Sequence, residues 1–222
     1  MTHSLHRLGD RESLEKDYVF FALTAAGVYG KDLGHTTGSA DKKRRFFDIL
    51  ADHHPVNMSV SPTQDRRRLA LAAGYPLEQL REGICDRSEI YSVFKDKNTI
   101  KDMVEVLKKE DLGLSVVVSG LFDEIFSCCR SISIAPHTVN MSAGILGETD
   151  QLPRKKVLEI TTMCGHSLVA SKLVDHLIGR VKRKQITSEA AAGILAKQCV
   201  CGIFNTTRAV ELIEQAATSI RE

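Results

Sequence analysis

The sequence predicts an α/β protein: a mixed sheet of about five to six strands with flanking helices, followed by a C-terminal helical subdomain. Short runs of β-branched and aromatic residues alternate with stretches at helical spacing through residue 162. From Ser167 onward the pattern is helical throughout. A chain of 222 residues, 43% hydrophobic and 26% charged, is ordinary for a globular protein and long enough to bury a core. The expected division is an N-terminal tail over 1–16, a sheet domain over 17–162 and a helical subdomain over 163–222.

Residues 17–23 (DYVFFAL) read as the first strand. A Gly/Thr/Ser loop follows from Gly27 to Ser39 and contains His35; its glycines are too irregularly spaced to argue a phosphate cradle. A helix is expected from Ala40 or Asp41 to Asp52, with Phe46, Phe47, Ile49 and Leu50 as its apolar face. Residues 54–60 (HPVNMSV) read as a second strand. The stretch 62–83 reads as helical, with Arg66, Arg67 and Arg68 on a solvated face. Residues 89–94 (EIYSVF) alternate as a third strand. Asn98 or Thr99 then caps a helix to Glu110 that places Ile100, Met103, Val104 and Leu107 on one side.

Residues 114–119 (LSVVVS) are apolar enough to sit centrally in a sheet covered on both faces. A helix over 121–131 follows, then a strand at 137–142 (HTVNMS), a loop at 144–153, and a strand at 157–162 (VLEITT) leading into Cys164. Three helices close the chain: 168–184, a second capped by Thr187 that ends near Lys197, and a third starting near Asn205 and Thr206. The segments HPVNMS and HTVNMS agree at five of six positions, and each follows an amphipathic helix. The match suggests a duplicated α/β unit that sets His54, Asn57, His137 and Asn140 at equivalent places; convergent strand composition is the alternative.

A formal charge of +2, no Trp and 5% aromatic residues give no electrostatic or stacking footprint for nucleic acid. No run approaches the roughly 20 apolar residues of a membrane helix, and residues 1–7 lack a secretory apolar core. A cytosolic protein without a membrane partner is expected. In that compartment six cysteines are reduced, metal-bound or reactive rather than disulfide-paired. The P-loop, the dinucleotide fingerprint and the G-x-S-x-G elbow are all missing.

Chemistry concentrates in Cys164-Gly165-His166 and Cys199-Val200-Cys201. Thiolate and imidazole suit zinc, iron–sulfur clusters, copper or nickel, and not magnesium or calcium. The first cluster is expected at a strand's carboxyl end, where a following helix dipole lowers a thiol pKa. The second falls in a turn, where residues one apart can bind one centre. The leading expectation is an iron–sulfur cluster on Cys164, Cys199 and Cys201 with His166 close by, acting on or sensing a small molecule or exchanging electrons with a redox partner. His137 and Asn140 are expected to line the pocket. Zinc stapling a regulatory module at the same four residues is one rival. A metal-free enzyme with Cys164 as nucleophile and His166 or His137 as base is the other. Cys128 and Cys129 read as helix residues, His176 as an exposed one, and Asp123 and Glu124 as first-turn acids that complement a helix dipole.

Overall fold

Strand alternation decides which helices cover which face of the sheet. The computed structural model describes residues 4–24 and 38–218. Five strands, β1 (Tyr18–Thr24), β2 (Asn57–Ser61), β3 (Leu69–Ala70), β4 (Glu89–Phe94) and β5 (Leu114–Ser119), form one sheet in the order β3-β2-β4-β1-β5. Every pairing is antiparallel, so the sheet is not mixed. Successive side chains of a strand point to opposite faces. Tyr18, Phe20 and Ala22 therefore enter one core, and Val19 and Phe21 enter the other.

The helices are α1 (Arg11–Leu14), α2 (Ala40–Asp52), α3 (Leu77–Glu82), α4 (Lys97–Glu110), α5 (Phe122–Ser131), α6 (Lys155–Thr161), α7 (Ser171–Lys182), α8 (Ser188–Ala196) and α9 (Thr206–Thr218). Helices α2 and α4 bring Phe46, Phe47, Leu50, Ile100 and Met103 onto Phe20 and Phe94. On the opposite face α6 to α9 pack Ile160, Val174, Leu195 and Ile213 around Val19, Phe21 and Val93. Burying side chains of this size stabilises by roughly 1.5–3 kcal/mol each, which is why both faces need a helical cover.

Local sequence explains the ends of these helices. Asp96, two residues before Asn98, the first of the expected caps, accepts from the backbone N–H groups of Asn98 and Thr99 and starts α4. Thr187 accepts from Ala190 N–H to start α8, as its sequence predicts. Asn205 Oδ1 does the same for Arg208 N–H at the start of α9, 3.0 Å away.

Four expectations need correcting. The stretch 62–83 holds β3, a short 3₁₀ turn and α3 rather than one helix. Among the described residues the 114–119 strand lies at the sheet edge: it pairs only with β1 and most of its side chains are half-buried. Residues 137–142 form no strand; they belong to an exposed irregular stretch over 135–152, so the repeat at 54–59 is not mirrored by a second like strand. Residues 157–162 fall in α6. Val157, Ile160 and Cys164 recur at helical spacing and are all buried, a period that outweighs their β-branched composition. The glycine-rich loop with His35 lies outside the described residues.

Candidate functional site

The Cys164 and Cys199 segments each follow a helix, α6 and α8, and take the same backbone course. Cys164 N–H donates to Thr161 C=O and Cys199 N–H to Ala196 C=O, each at 3.0 Å. Three residues on, Ser167 N–H returns to Cys164 C=O at 3.0 Å and Gly202 N–H to Cys199 C=O at 3.1 Å. Both third positions are left-handed, with φ of +56° at Ser167 and +62° at Gly202. The fourth N–H, of Leu168 or Ile203, donates to the sulfur that opens its turn. A left-handed residue at this point makes consecutive N–H groups converge, a concavity that favours negative charge.

In this twinned frame Cys164 corresponds to Cys199, and His166 corresponds to Cys201. Like meets like. Cys199 donates its S–H to Cys164, and Cys201 Sγ lies 3.1 Å from His166 Nδ1. The sequence-predicted set of Cys164, His166, Cys199 and Cys201 is thus gathered at one place, as two contacting pairs. The three cysteine sulfurs are buried while His166 is exposed. Among the described residues, no three His, Cys, Asp or Glu side chains stand together as they would around a metal ion. All six cysteines are free thiols.

The electrostatics separate the thiols. Hydrogen bonds from Cys199 and from the N–H groups of Leu168 and His166 pull Cys164 down to about 6, against burial. Cys199 is pushed well above the ordinary thiol range, first as the donor to Cys164 and then by burial. Burial and the Cys164 charge push Cys201 up to about 11. A helix dipole does not activate Cys164, contrary to the sequence expectation. The residue follows the C-terminal end of α6, which favours positive charge.

Sequence reasoning missed what clamps the turns. Arg7, assigned to a tail, donates from Nη2 to Met163 C=O at 3.3 Å and to Ile203 C=O, so one guanidinium spans both turns. Its Nη1 pairs with buried Asp17, which also binds Arg208 Nη1 at 2.8 Å and Asn205 Nδ2 at 3.1 Å. From the sheet, Ser59 Oγ donates to Cys201 C=O, and Asn57 Nδ2 to Phe204 C=O at 3.2 Å. The only sequence signal was apolar neighbours around isolated charges, which does not reveal a partner nearly 200 residues away.

Other candidates lie apart. His137 is exposed, with Nδ1 2.8 Å from Thr138 Oγ1 and Nε2 3.4 Å from Ser115 Oγ on β5. The cysteine turn sits on β2, three inter-strand intervals away across the sheet, or roughly 14 Å. Asn140 is also exposed, but the residues just after it, Ser142 to Leu146, approach Cys164 and line one side of a cleft beside it. His54 is exposed, Cys128 and Cys129 stay on α5, and Asp123 and Glu124 pair with Arg11.

No protein family, curated protein or solved structure matches the chain.

Proposed function

We propose that Cys164, His166, Cys199 and Cys201 form a metal centre, an iron–sulfur cluster in the first instance and zinc as its rival, that acts on or senses a small molecule. The observation that carries this reading is the twinned turn: two identical backbone frames each present two soft donors, and equivalent donors face one another. A tetrahedral ion sets sulfur and nitrogen ligands about 3.5 Å apart, close to the 3.1 Å between Cys201 Sγ and His166 Nδ1. Backbone N–H groups already aimed at sulfur are the support that metal-bound thiolates use. The helices from residue 163 onward act in this reading as the subdomain that carries the centre. His137 and Asn140 stand apart from the cysteine turns, and in this reading they reach a ligand only when the 135–152 segment moves.

Anaerobic purification followed by iron, sulfide and zinc analysis tests the proposal. Iron with acid-labile sulfide supports a cluster, and one zinc per chain supports the regulatory alternative. A folded protein holding neither overturns both. Replacing Cys199 and Cys201 by Ser abolishes metal retention under either form.

A second reading rests on a different observation, the cleft that opens onto Cys164. There the protein is a metal-free enzyme that uses the Cys164 thiolate as nucleophile with His166 as base, since the other candidate base, His137, lies across the sheet beside β5. Metal-free, folded protein that loses activity on selective Cys164 alkylation would establish it.

A further inference from the structure

Beside Cys164 lies a cleft of about 560 Å³, within the range that holds small-molecule ligands. Its floor comes from α6 and the segment leading into α7, and its far wall from Ser142 to Leu146. Not one of the fifteen described residues that line it is Asp, Glu, Lys or Arg, although 26% of the chain is charged. The small cavity of about 60 Å³ near Lys16 shows the contrast, since Asp10, Glu12, Glu159 and Glu211 all line it. Leu8, Ile145, Leu146, Leu158 and Val169 make the large cleft mainly apolar. Its polar side chains are the His6 imidazole and the hydroxyls of Ser142, Thr161, Thr162, Ser167 and Ser171. The Thr162 hydroxyl is already committed, accepting from Leu8 N–H at 3.1 Å and donating to Leu158 C=O at 2.6 Å.

The far wall is itself unusual. Leu146 and Met141 expose 82% and 72% of their surface on a segment with almost no regular structure. The His6 ring, through Nδ1, lies 3.0 Å from Ser142 Oγ and joins this segment to the N-terminal stretch at the cleft wall. A long irregular segment with exposed apolar side chains, hinged on one polar contact, can fold down over an apolar ligand.

We infer that this cleft binds a predominantly apolar small molecule without negative charge against Cys164, and that residues 139–146 close over it. The inference rests on reading the centre as one that serves a small molecule, and it names the class. An anionic ligand entering a lining with no Lys or Arg among its described residues loses its hydration with no compensation, whereas an uncharged apolar one gains by leaving water.

The test uses two fluorescent probes, N-phenylnaphthylamine and anilinonaphthalene sulfonate, which share their rings and differ by one sulfonate. The full chain binds the uncharged probe saturably at one site, at least about tenfold more tightly than the sulfonate, a difference of about 1.4 kcal/mol. Ala170→Trp at the cleft wall weakens that binding about tenfold or more; where that variant does not fold, Ser142→Trp serves instead. Leu77→Asp, on an exposed apolar residue of α3 outside the lining, leaves it unchanged. Equal affinity for the two probes, undiminished binding in the filled-cleft variant, or equal loss in Leu77→Asp overturns the inference. Metal analysis of the same samples separates the two readings. Metal without probe binding sinks the cleft ligand alone, and probe binding without metal sinks the metal centre alone.

Discussion

The Cys164 turn and the Cys199 turn share their hydrogen bonds and their left-handed third residue, yet one sulfur is acidic and the other is held neutral. The difference is in donors. Cys164 receives two backbone N–H groups and the Cys199 thiol, while Cys199 receives one N–H and faces a sulfur that carries charge. Matching frames thus leave Cys164 the more acidic sulfur, because it receives the Cys199 S–H and one more backbone N–H than its twin. The turns also differ in their surroundings. The Cys199 turn is pressed onto β2, whereas Ser167 at the corner of the Cys164 turn is exposed.

The largest effect is expected where both turns are held at once. Arg7→Met removes the guanidinium that spans Met163 and Ile203 and leaves Asp17 with Arg208 and Asn205. Breaking a buried ion pair costs about 3–5 kcal/mol, and the remaining partners place this one near the lower end, about 3 kcal/mol. Denaturant unfolding measures that loss. Metal content measured on the same variant at a temperature where it stays folded should fall as well, because the turns lose their shared clamp. Unchanged metal content would show that each turn is set independently.

Next comes Gly202→Ala. A Cβ there would lie 2.6 Å from Ser59 Cβ and 3.1 Å from the Met58 carbonyl carbon, at a φ of +62°. Left-handed strain of about 1–2 kcal/mol adds to overpacking of about 1–3 kcal/mol, and the lower entropy of the unfolded alanine chain offsets about 0.4–1 kcal/mol, for a loss centred on about 2–3 kcal/mol in chemical unfolding. A loss below about 1 kcal/mol would mean that the turn is not seated on the sheet as described.

These contrasts also show what the sequence made legible. Strands β1 and β4 were readable because YVFFALT and EIYSVF bury both faces or alternate, α2 because its apolar residues recur at helical spacing, and α8 and α9 because Thr187 and Asn205 cap them. The four donors were readable because soft ligands flank glycines at element breaks. What precedes Cys164 was not, since VLEIT satisfies strand composition and helix period together and only packing chooses between them. The place of β5 was equally hidden, because apolar content does not say how many neighbours a strand has. Neither the Arg7 clamp nor the matching turns leave a local signal; they arise from distant segments and from backbone dihedrals at Ser167 and Gly202.

A smaller effect appears in the pH response of the metal-free protein. The Cys164 value is depressed in the fold, so its contribution to stability is fully present above the ordinary thiol value near 9 and is lost as pH falls through about 6. Unfolding free energy should therefore rise with pH across that window, and Cys164→Ser should flatten the rise. Alkylation by iodoacetamide, mapped by peptide mass, should reach its plateau at Cys164 just above pH 6 while Cys199 stays protected. Equal labelling of the two sulfurs would remove the asymmetry between the turns.

The smallest effect is the mirror of the glycine substitution. Ser167 occupies the same left-handed corner as Gly202 at a φ of +56°, but it is exposed, so no packing stands behind its conformation. Ser167→Gly relieves backbone strain while making the unfolded chain more flexible, and the two terms oppose each other at about 1 kcal/mol each. Stability should thus change by less than about 1 kcal/mol in either direction, with metal content unaffected. Paired with Gly202→Ala, the experiment asks whether the two corners are tolerant because of their backbone or because of what lies against them. A loss at Ser167 as large as that at Gly202 would mean that the hydroxyl, and not the left-handed corner, holds the first turn.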